Sequence, residues 1–275
     1  MQPDITFIGG GNMATAIIAG LIADGLPASS IEVVDPSPDA CECLRQRFGI
    51  AATTSLDQAM LHPLLVLAVK PQQLPEVARQ LSAKLNSQLV ISIAAGVRSA
   101  DLSRWLGGYA RIVRTMPNTP AMVGAGMTGL FAGTGVSAED RSQAETVLRA
   151  VGAVVWLDRE SDLDWVTAVS GSGPAYVFHF IEALEAAARE AGLSAGTARQ
   201  LALHTVFGAA KLALEAGEEP AVLRAKVTSK GGTTERALAS LSSDGFMEIV
   251  ARAVQAAAAR SQELGDELGK LTAEN

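Results

Sequence analysis

Cysteine, histidine and aromatic residues are scarce in this chain, and each scarcity excludes a class of site. The 275 residues include two cysteines and three histidines, and aromatic side chains make up 4%. Cys41 and Cys43 are one residue apart with no histidine nearby, which suits neither a zinc site nor a useful disulfide and favours a reducing compartment. His62, His179 and His204 share no metal-ligand spacing. We therefore expect no metal site.

Runs of basic residues and long apolar segments are also missing from the sequence. Lys and Arg number 22 against 29 Asp and Glu, a net charge of −7, whereas a nucleic-acid partner calls for basic clusters. The N-terminal residues show no basic stretch followed by an apolar core, so we expect no signal peptide. Charged residues such as Glu182 and Glu185 interrupt the apolar stretches before a membrane span is reached. These features predict a cytoplasmic protein that binds neither nucleic acid nor membrane.

Short apolar runs alternate with amphipathic stretches over residues 1–161. Continuous apolar strands that alternate with helices are typical of a parallel sheet covered on both faces. The sequence thus predicts an α/β, doubly wound (Rossmann-like) nucleotide-binding domain. Its expected strands are Ile5–Gly9, Ile31–Asp35, Leu64–Val69, Leu89–Ala94 and Arg111–Thr115.

Strand patterns disappear in residues 162–275, which are helical and rich in alanine. The segment Ser194–Glu215 carries apolar residues on more than one face, so it must be buried on more than one side. A domain of this size can hardly enclose several such helices alone. We therefore predict an all-α domain that forms a homodimer, most simply with C2 symmetry.

The first expected strand runs into a glycine-rich turn that fits the G-x-G-x-x-A pattern of dinucleotide-binding folds. Gly9 permits the tight turn, Gly11 lets the backbone approach a pyrophosphate, and Ala14 allows close packing of helix on strand. The pyrophosphate would lie at the helix N-terminus, where free N–H groups favour an anion. The predicted cofactor loop consists of Gly9, Gly10, Gly11, Asn12, Met13 and Ala14.

Asp35 follows the second strand and bears on the choice between NADH and NADPH. A carboxylate here can accept hydrogen bonds from the ribose hydroxyls, which favours NADH and repels a 2′-phosphate. Ser37 follows on a loop flanked by prolines and could offer its hydroxyl to that phosphate. The choice between NADPH and NADH stays open from these residues.

Three further segments follow strand ends, where ligands bind in open α/β sheets. The segment Ala68, Val69, Lys70 and Pro71 places a basic side chain and a rigid turn at this edge. Ala94, Ala95 and Gly96 offer small residues against which a ribose or nicotinamide could lie. Asn118, between two prolines, could direct its amide at the nicotinamide or the substrate, or could belong to a simple connector.

A second anion-binding loop precedes a helix in the C-terminal half, at residues 227–235. Hydroxyl groups and two glycines meet there at a helix N-terminus, a combination suited to a carboxylate or phosphate. A helix cap alone needs only one Ser or Thr. We therefore favour a ligand site over an elaborate cap.

The motifs together resemble pyrroline-5-carboxylate reductase over nearly the whole chain. The resemblance is carried by FIGGGNMA (7–14), AVKP (68–71), SIAAGV (92–97), MPNTPA (116–121), SGSGPAY (170–176) and VTSKGGTTERAL (227–238). The last segment is the most specific, although Lys230 stands where the family usually has proline.

This resemblance implies reduction of 1-pyrroline-5-carboxylate to proline, the last step of proline biosynthesis, with NADPH or NADH. It implies that the glycine loop, Ser37, Ala68–Pro71 and Ala94–Val97 hold the cofactor. It also implies that the substrate is held by Ser229, Gly231, Gly232, Thr233 and Thr234, with Glu160 near the pocket. In that reading Thr234 hydrogen-bonds the ring nitrogen and orients it. Interlocked dimers, arranged in larger rings such as a decamer, are implied as well.

Two other functions compete with this one. A β-hydroxyacid dehydrogenase shares the layout but requires a helical lysine as proton donor, for which Lys211 is the candidate. A non-catalytic NAD(P)-binding protein would bind cofactor without turnover of cyclic imines.

Overall fold

The computed structural model describes residues 4–271 and contains an eight-stranded sheet. The strand order is β3-β2-β1-β4-β5-β6-β7-β8. All neighbouring strands are parallel except β6 and β7, which are antiparallel. The strands are β1 Ile5–Ile8, β2 Ile31–Val34, β3 Ala51–Thr53, β4 Leu64–Leu67, β5 Leu89–Ser92, β6 Ile112–Met116, β7 Gly126–Ala132 and β8 Gly152–Trp156.

Helices cover both faces of this sheet because its central strands are apolar on both sides. Phe7 and Val66 belong to the buried cluster on one face, and Leu65 and Leu67 to the cluster on the other. The covering helices are α1 Asn12–Ala23, α2 Pro38–Phe48, α3 Leu74–Ser82, α4 Ser99–Trp105, α5 Ala138–Arg149 and α6 Asp162–Val166.

The rest of the described chain is helical. After a π-helical turn at Thr167–Gly171 come α7 Gly173–Glu190, α8 Ala195–Ala216, α9 Pro220–Lys226, α10 Thr233–Ser243 and α11 Phe246–Gly269. Within residues 4–271, none of the helices has the length and apolar character needed to cross a membrane.

The chain divides into two compact units. The first unit runs to Ser172 and includes the chain again from Ala256 onward, and the helical unit is Gly173–Gln255. The boundary expected near residue 161 thus differs from this division at two places. The last turns of α11 belong to the first unit because Leu268 is buried in its apolar core.

The predicted fold class is confirmed, and all five expected strands are present. Three strands had not been expected: β3, β7 and β8. In β7 the apolar pattern is broken by glycines, and Gly129 is required because a Cβ there would lie 2.9 Å from Val166 Cγ1. The glycines that permit this close packing interrupt the apolar run, and such runs are what predicted the other strands. The five expected strands are parallel to one another, as predicted, and the unexpected β7 is antiparallel to β6.

Candidate active site

The turn between β1 and α1 has the geometry of a pyrophosphate cradle. Gly9 has a φ of +103°, and a Cβ on it would lie 2.7 Å from the Ala68 carbonyl oxygen. Gly9 also donates its N–H to the Val34 oxygen at 2.8 Å. The turn is therefore held against the ends of β2 and β4, where the strand order reverses and α/β folds bind ligands.

The backbone angles and surroundings of Gly11 indicate whether a dinucleotide fits this turn. Its φ of −69° and ψ of −176° are open to any residue, and a Cβ built on it would meet no protein atom within 4 Å. The fold does not require glycine here, whereas a ligand brought against the backbone does. Gly11 is also the N-cap of α1 and supplies no side-chain cap, so the first N–H groups of the helix remain available to an anion.

Asp35 joins the glycine turn to the loop after β2. Its carboxylate accepts the Gly10 N–H at 2.8 Å through Oδ2 and the Ser37 N–H at 2.9 Å through Oδ1. Ser37 is the N-cap of α2, and its Oγ accepts the Ala40 N–H at 3.2 Å. The Ser37 hydroxyl proton stays free to donate to a ligand. Asp35 thus shapes the turn, and its expected contact with the ribose stays a prediction.

The segments after β4 and β5 lie at the same edge of the sheet as the glycine turn. Ala68 donates its N–H to the Ile8 oxygen at 2.7 Å, which continues the β1–β4 ladder. Lys70 is exposed and forms no ion pair within residues 4–271. After β5, Ala94 and Val97 are buried and Gly96 has a φ of +78°.

Asn118 lies beyond β6 and holds two segments of the first unit together. Its amide nitrogen donates to the Ser170 carbonyl oxygen at 3.2 Å and to Ser170 Oγ at 3.1 Å. Its amide oxygen accepts the Met127 N–H at 2.9 Å. The side chain therefore fixes the π-helical turn against β7, a role that the sequence did not reveal. Its expected contact with the nicotinamide stays a prediction.

Glu160 also has protein partners. Its Oε1 accepts the Ser99 N–H at 2.6 Å, the Ser99 hydroxyl at 2.9 Å and Arg114 Nη1 at 3.0 Å. Arg114 is buried, with 6% of its surface exposed. No sequence spacing could have revealed these contacts, since Ser99 and Arg114 lie 61 and 46 residues from Glu160.

The hydroxyl- and glycine-rich loop of the helical unit, residues 227–235, leads into α10. Its hydroxyl groups do not cap that helix. The N-cap of α10 is Gly232, with no side-chain hydrogen bond, and Gly232 donates its N–H to the Ser229 oxygen at 3.0 Å. Gly231 has a φ of +73° and donates its N–H to Glu235 Oε2 at 2.7 Å. The loop thus already binds one carboxylate, that of Glu235, through the N–H of Gly231.

Thr233 and Thr234 occupy the first two positions of α10. Across the described part of the chain, neither hydroxyl is engaged by a protein group, whereas Thr228 donates to the Arg224 oxygen at 2.6 Å. A Cβ on Gly232 would collide with Ser229 Oγ. A larger residue at this position would therefore require the Ser229 side chain to move.

Asp140, a buried carboxylate with a shifted pKa, lies at the opposite edge of the sheet. The pKa of Asp140 is lowered, chiefly by its hydrogen bonds from Arg111, with burial acting against them. Arg111 precedes β6, whereas the cofactor turn follows the ends of the strands. Lys211, the candidate acid of the rival dehydrogenase, is exposed on α8 and pairs with Glu215 at 3.7 Å.

Comparisons with known proteins agree with both halves of this description. The family profile described as "Pyrroline-5-carboxylate reductase dimerisation" matches residues 160–264. The profile described as "NADP oxidoreductase coenzyme F420-dependent" matches residues 4–96. Each profile therefore falls on one of the two predicted halves.

Individual relatives match over nearly the whole chain. The pyrroline-5-carboxylate reductase of Pseudomonas aeruginosa is 46% identical, over 98% of this chain and 99% of that protein. The structure of the Coxiella burnetii pyrroline-5-carboxylate reductase is 44% identical with a TM-score of 0.92, covering 96% of this chain and 99% of that one. The Plasmodium falciparum pyrroline carboxylate reductase, solved with NADP bound, is 29% identical with a TM-score of 0.84 and covers 96% and 99%.

The resemblance deduced from the motifs is thereby confirmed by identity along the full length and by the shared fold. This chain belongs to the pyrroline-5-carboxylate reductase family.

Proposed function

We propose that this protein reduces L-1-pyrroline-5-carboxylate to L-proline, the last step of proline biosynthesis, with NADPH or NADH as the reductant. The observation that carries the proposal is the 46% identity to a pyrroline-5-carboxylate reductase over 98% of the chain. The open glycine turn at Gly11 and the hydroxyls of Thr233 and Thr234 at the start of α10 support the proposal, since they suit a cofactor pyrophosphate and a substrate.

Substrate binding begins with the carboxylate of the imino acid. The N–H of Gly231 already donates to the carboxylate of Glu235 at 2.7 Å, and this carboxylate stands in for that of a ligand. A substrate carboxylate would replace it, aided by Ser229 and Thr233. Glu235 is exposed and can move aside into water.

Chemistry follows from orientation more than from acid–base catalysis. Bound NADPH or NADH supplies the hydride. The carbon of the protonated C=N bond accepts it, the electron pair of that bond moves to nitrogen, and the product is the secondary amine proline. Thr234 would hydrogen-bond the ring nitrogen and fix the exposed face of the imine, a positioning effect that lowers the barrier without a strong acid.

Cofactor choice depends on the loop after β2. The Plasmodium relative was solved with NADP, and here Ser37 retains a free hydroxyl proton while Asp35 uses one lone pair of each oxygen on backbone N–H groups. We propose that both cofactors are used, since Ser37 favours a 2′-phosphate and Asp35 disfavours it.

The protein is a homo-oligomer, as its dimerisation profile indicates, and we propose that it forms homodimers through the helical unit. Leu203, Phe207 and Leu214 share one face of α8, opposite the buried Ala198 and Ala202, and all three are exposed. A stripe of this kind needs a partner surface. Assembly of the dimers into a decamer would be decided by the mass of the particle in solution.

We further propose a cytoplasmic location. Cys41 and Cys43 are both free, which is compatible with a reducing compartment.

The decisive experiment measures oxidation of NADPH and of NADH by the purified protein with pyrroline-5-carboxylate, together with formation of proline. We expect turnover with both cofactors and a strict requirement for the cyclic imine. Turnover of hydroxy acids with NAD⁺ instead would favour the dehydrogenase. Cofactor binding with no turnover of any cyclic imine would favour a binding protein and reject the proposal.

A further inference from the structure

Glu160 places one carboxylate oxygen at the junction of three donors. Oε1 accepts the backbone N–H and the hydroxyl of Ser99 and one N–H of Arg114. Short contacts of 2.6–3.0 Å to charged or backbone donors are among the stronger hydrogen bonds in proteins. This oxygen is therefore fully committed to the protein.

Helix α4 depends on this contact because its own N-cap does not supply one. The N-cap residue is Arg98, whose side chain makes no capping bond. The first N–H groups of a helix have no partner within it, and Glu160 provides the acceptor from 61 residues away. The start of α4, and with it the end of the loop Ala94–Val97, is fixed by Glu160.

The other side of the same loop is held by the last turns of α11. A Cβ on Gly96 would lie 3.0 Å from Leu268 Cδ1, so the loop runs directly against that helix. Arg98 pairs with Asp266 at 2.7 Å and donates to the Gln262 oxygen at 3.4 Å. Arg98, Arg114, Glu160 and Asp266 line a cavity of about 380 Å³ between these segments.

Arg114 links Glu160 to a second loop at the sheet edge that carries the glycine turn. It lies in β6, two residues before Met116 and the turn that leads to Asn118. Because Arg114 is buried and pairs with Glu160 at 3.0 Å, the position of β6 and that of α4 are coupled through one carboxylate.

We infer that Glu160 is a positioning residue for the cofactor, and that it acts by holding the loop Ala94–Val97 through Ser99 while Arg114 holds Glu160. This inference rests on the proposed function only in that the loop lies against the cofactor. It differs from a role for Glu160 in the substrate pocket, since it assigns to Oε1 the task of holding Ser99 and Arg114.

The sharpest test replaces Ser99 with proline. Ser99→Pro removes both donors to Glu160 but leaves the Glu160–Arg114 pair in place. Proline is well tolerated at the first position of a helix, and Arg98 already has the φ of −78° and ψ of 150° that suit a residue before proline. We expect the Kd for NADPH to rise about tenfold, the loss expected for hydrogen bonds to a charged group. At saturating NADPH, the KM for pyrroline-5-carboxylate should change by less than about twofold.

A matched control is Ala138→Pro. Ala138 is likewise the first residue of a helix, α5, and follows an N-cap with φ of −80° and ψ of 172°. The NADPH affinity of this variant should equal that of the wild type. If both proline variants lower the melting temperature and neither changes the Kd for NADPH, the contact is merely structural and the inference is overturned.

A second pair of variants changes the carboxylate itself. Glu160→Gln keeps an oxygen for Ser99 but loses the charge that holds Arg114, so its Kd for NADPH should rise about threefold. Glu145→Gln is the control, because Glu145 also binds one arginine and one N–H donor, Arg149 and Trp156 Nε1. Combining Ser99→Pro with Glu160→Gln should add little to Ser99→Pro alone, since both act through one contact.

Binding of NADPH is measured by fluorescence titration and needs no turnover. A wild-type protein that binds NADPH but reduces no imine would reject the proposed function and still permit this test. A rise in the KM for pyrroline-5-carboxylate with an unchanged Kd for NADPH in Glu160→Gln would place Glu160 at the substrate and overturn the inference.

Discussion

The two compact units of this chain bury their apolar side chains to very different extents. In the first unit, the central strands β1, β4 and β5 are buried along their whole length, and two apolar clusters fill both faces of the sheet. In the helical unit, which is described throughout, only Ala198 and Ala202 are buried. Phe207 is 66% exposed and Leu214 86%.

This difference supports the proposed homodimer, in which two copies of the helical unit would form one core. Burying a Phe or Leu side chain stabilises a protein by about 1.5–3 kcal/mol. Covering the row of exposed Phe and Leu side chains would therefore add a large stabilisation. A second copy of the same helices would supply it. The comparison therefore predicts that equal surface changes have unequal effects in the two units.

The largest expected effect is on assembly. Phe207→Lys should dissociate the dimer, because loss of a buried Phe costs about 3–5 kcal/mol and a C2 interface suffers the loss twice. Met60→Lys is the matched control, since Met60 is 67% exposed in the first unit. Sedimentation of both variants measures the mass. An undissociated Phe207→Lys particle would contradict an interface on this face of α8.

The next effect concerns the cofactor turn of the first unit. Gly11→Val should weaken NADPH and NADH binding at least about a hundredfold, roughly 3 kcal/mol, because its side chain occupies the space of the pyrophosphate. The fold should be unaffected, since the backbone angles are ordinary and no protein atom lies within 4 Å of a Cβ. Calorimetric titration and thermal melting measure the two parts. Unchanged affinity would mean that the cofactor lies elsewhere.

A smaller effect is expected in the substrate loop of the helical unit. Thr234→Val keeps the shape and removes the hydroxyl, so kcat/KM for the imine should fall about 10- to 100-fold, or 1.5–3 kcal/mol. Cofactor affinity should stay the same. Thr228→Val is the control, because the Thr228 hydroxyl donates to the Arg224 oxygen. Wild-type turnover in Thr234→Val would mean that the loop only caps α10 and does not bind the substrate.

Stability of the first unit should depend on pH through Asp140. Its folded-state pKa is lowered, first by the hydrogen bonds from Arg111. The stabilisation is therefore present above the carboxyl's unfolded pKa and is lost as the pH falls through the lowered value. Asp140→Asn should cost about 1–2 kcal/mol near neutral pH, an amount reduced by the partial exposure of Arg111, and should flatten the acid limb. Denaturant melts from neutral to acid pH test this, and an unchanged acid limb would reject it.

The smallest effect is expected from Asp35→Ser. Removing a charge near the ribose should shift the ratio of kcat/KM values toward NADPH by about fivefold, roughly 1 kcal/mol. Because Asp35 also holds Gly10 and Ser37, both cofactors should bind somewhat more weakly. Steady-state kinetics with each cofactor gives the ratio. A ratio that does not move would show that Asp35 shapes the turn without facing the ribose.

Local patterns predicted most of the elements, because strand and helix periodicities act over neighbouring residues. The helical segment predicted at Ser194–Glu215 is found at Ala195–Ala216, and the strand predicted at Ile31–Asp35 is found at Ile31–Val34. Strands β7 and β8 were missed because their glycines serve close packing, as at Gly152, where φ is +146° beside Gly126. The contacts of Asn118 and Glu160 were likewise out of reach, since each joins segments far apart in the chain.

By itself the sequence determined the fold class, the glycine turn at Gly9–Ala14, the threonine loop before α10 and the family. These depend on residue types at fixed short spacings, and such spacings are visible in one dimension. Only the tertiary structure decided that Asp35 braces the glycine turn, that Glu160 caps α4 and that the end of α11 packs against Gly96. Those contacts arise where chain folding brings distant donors, acceptors and apolar atoms within a few ångströms, and no local pattern encodes such a distance.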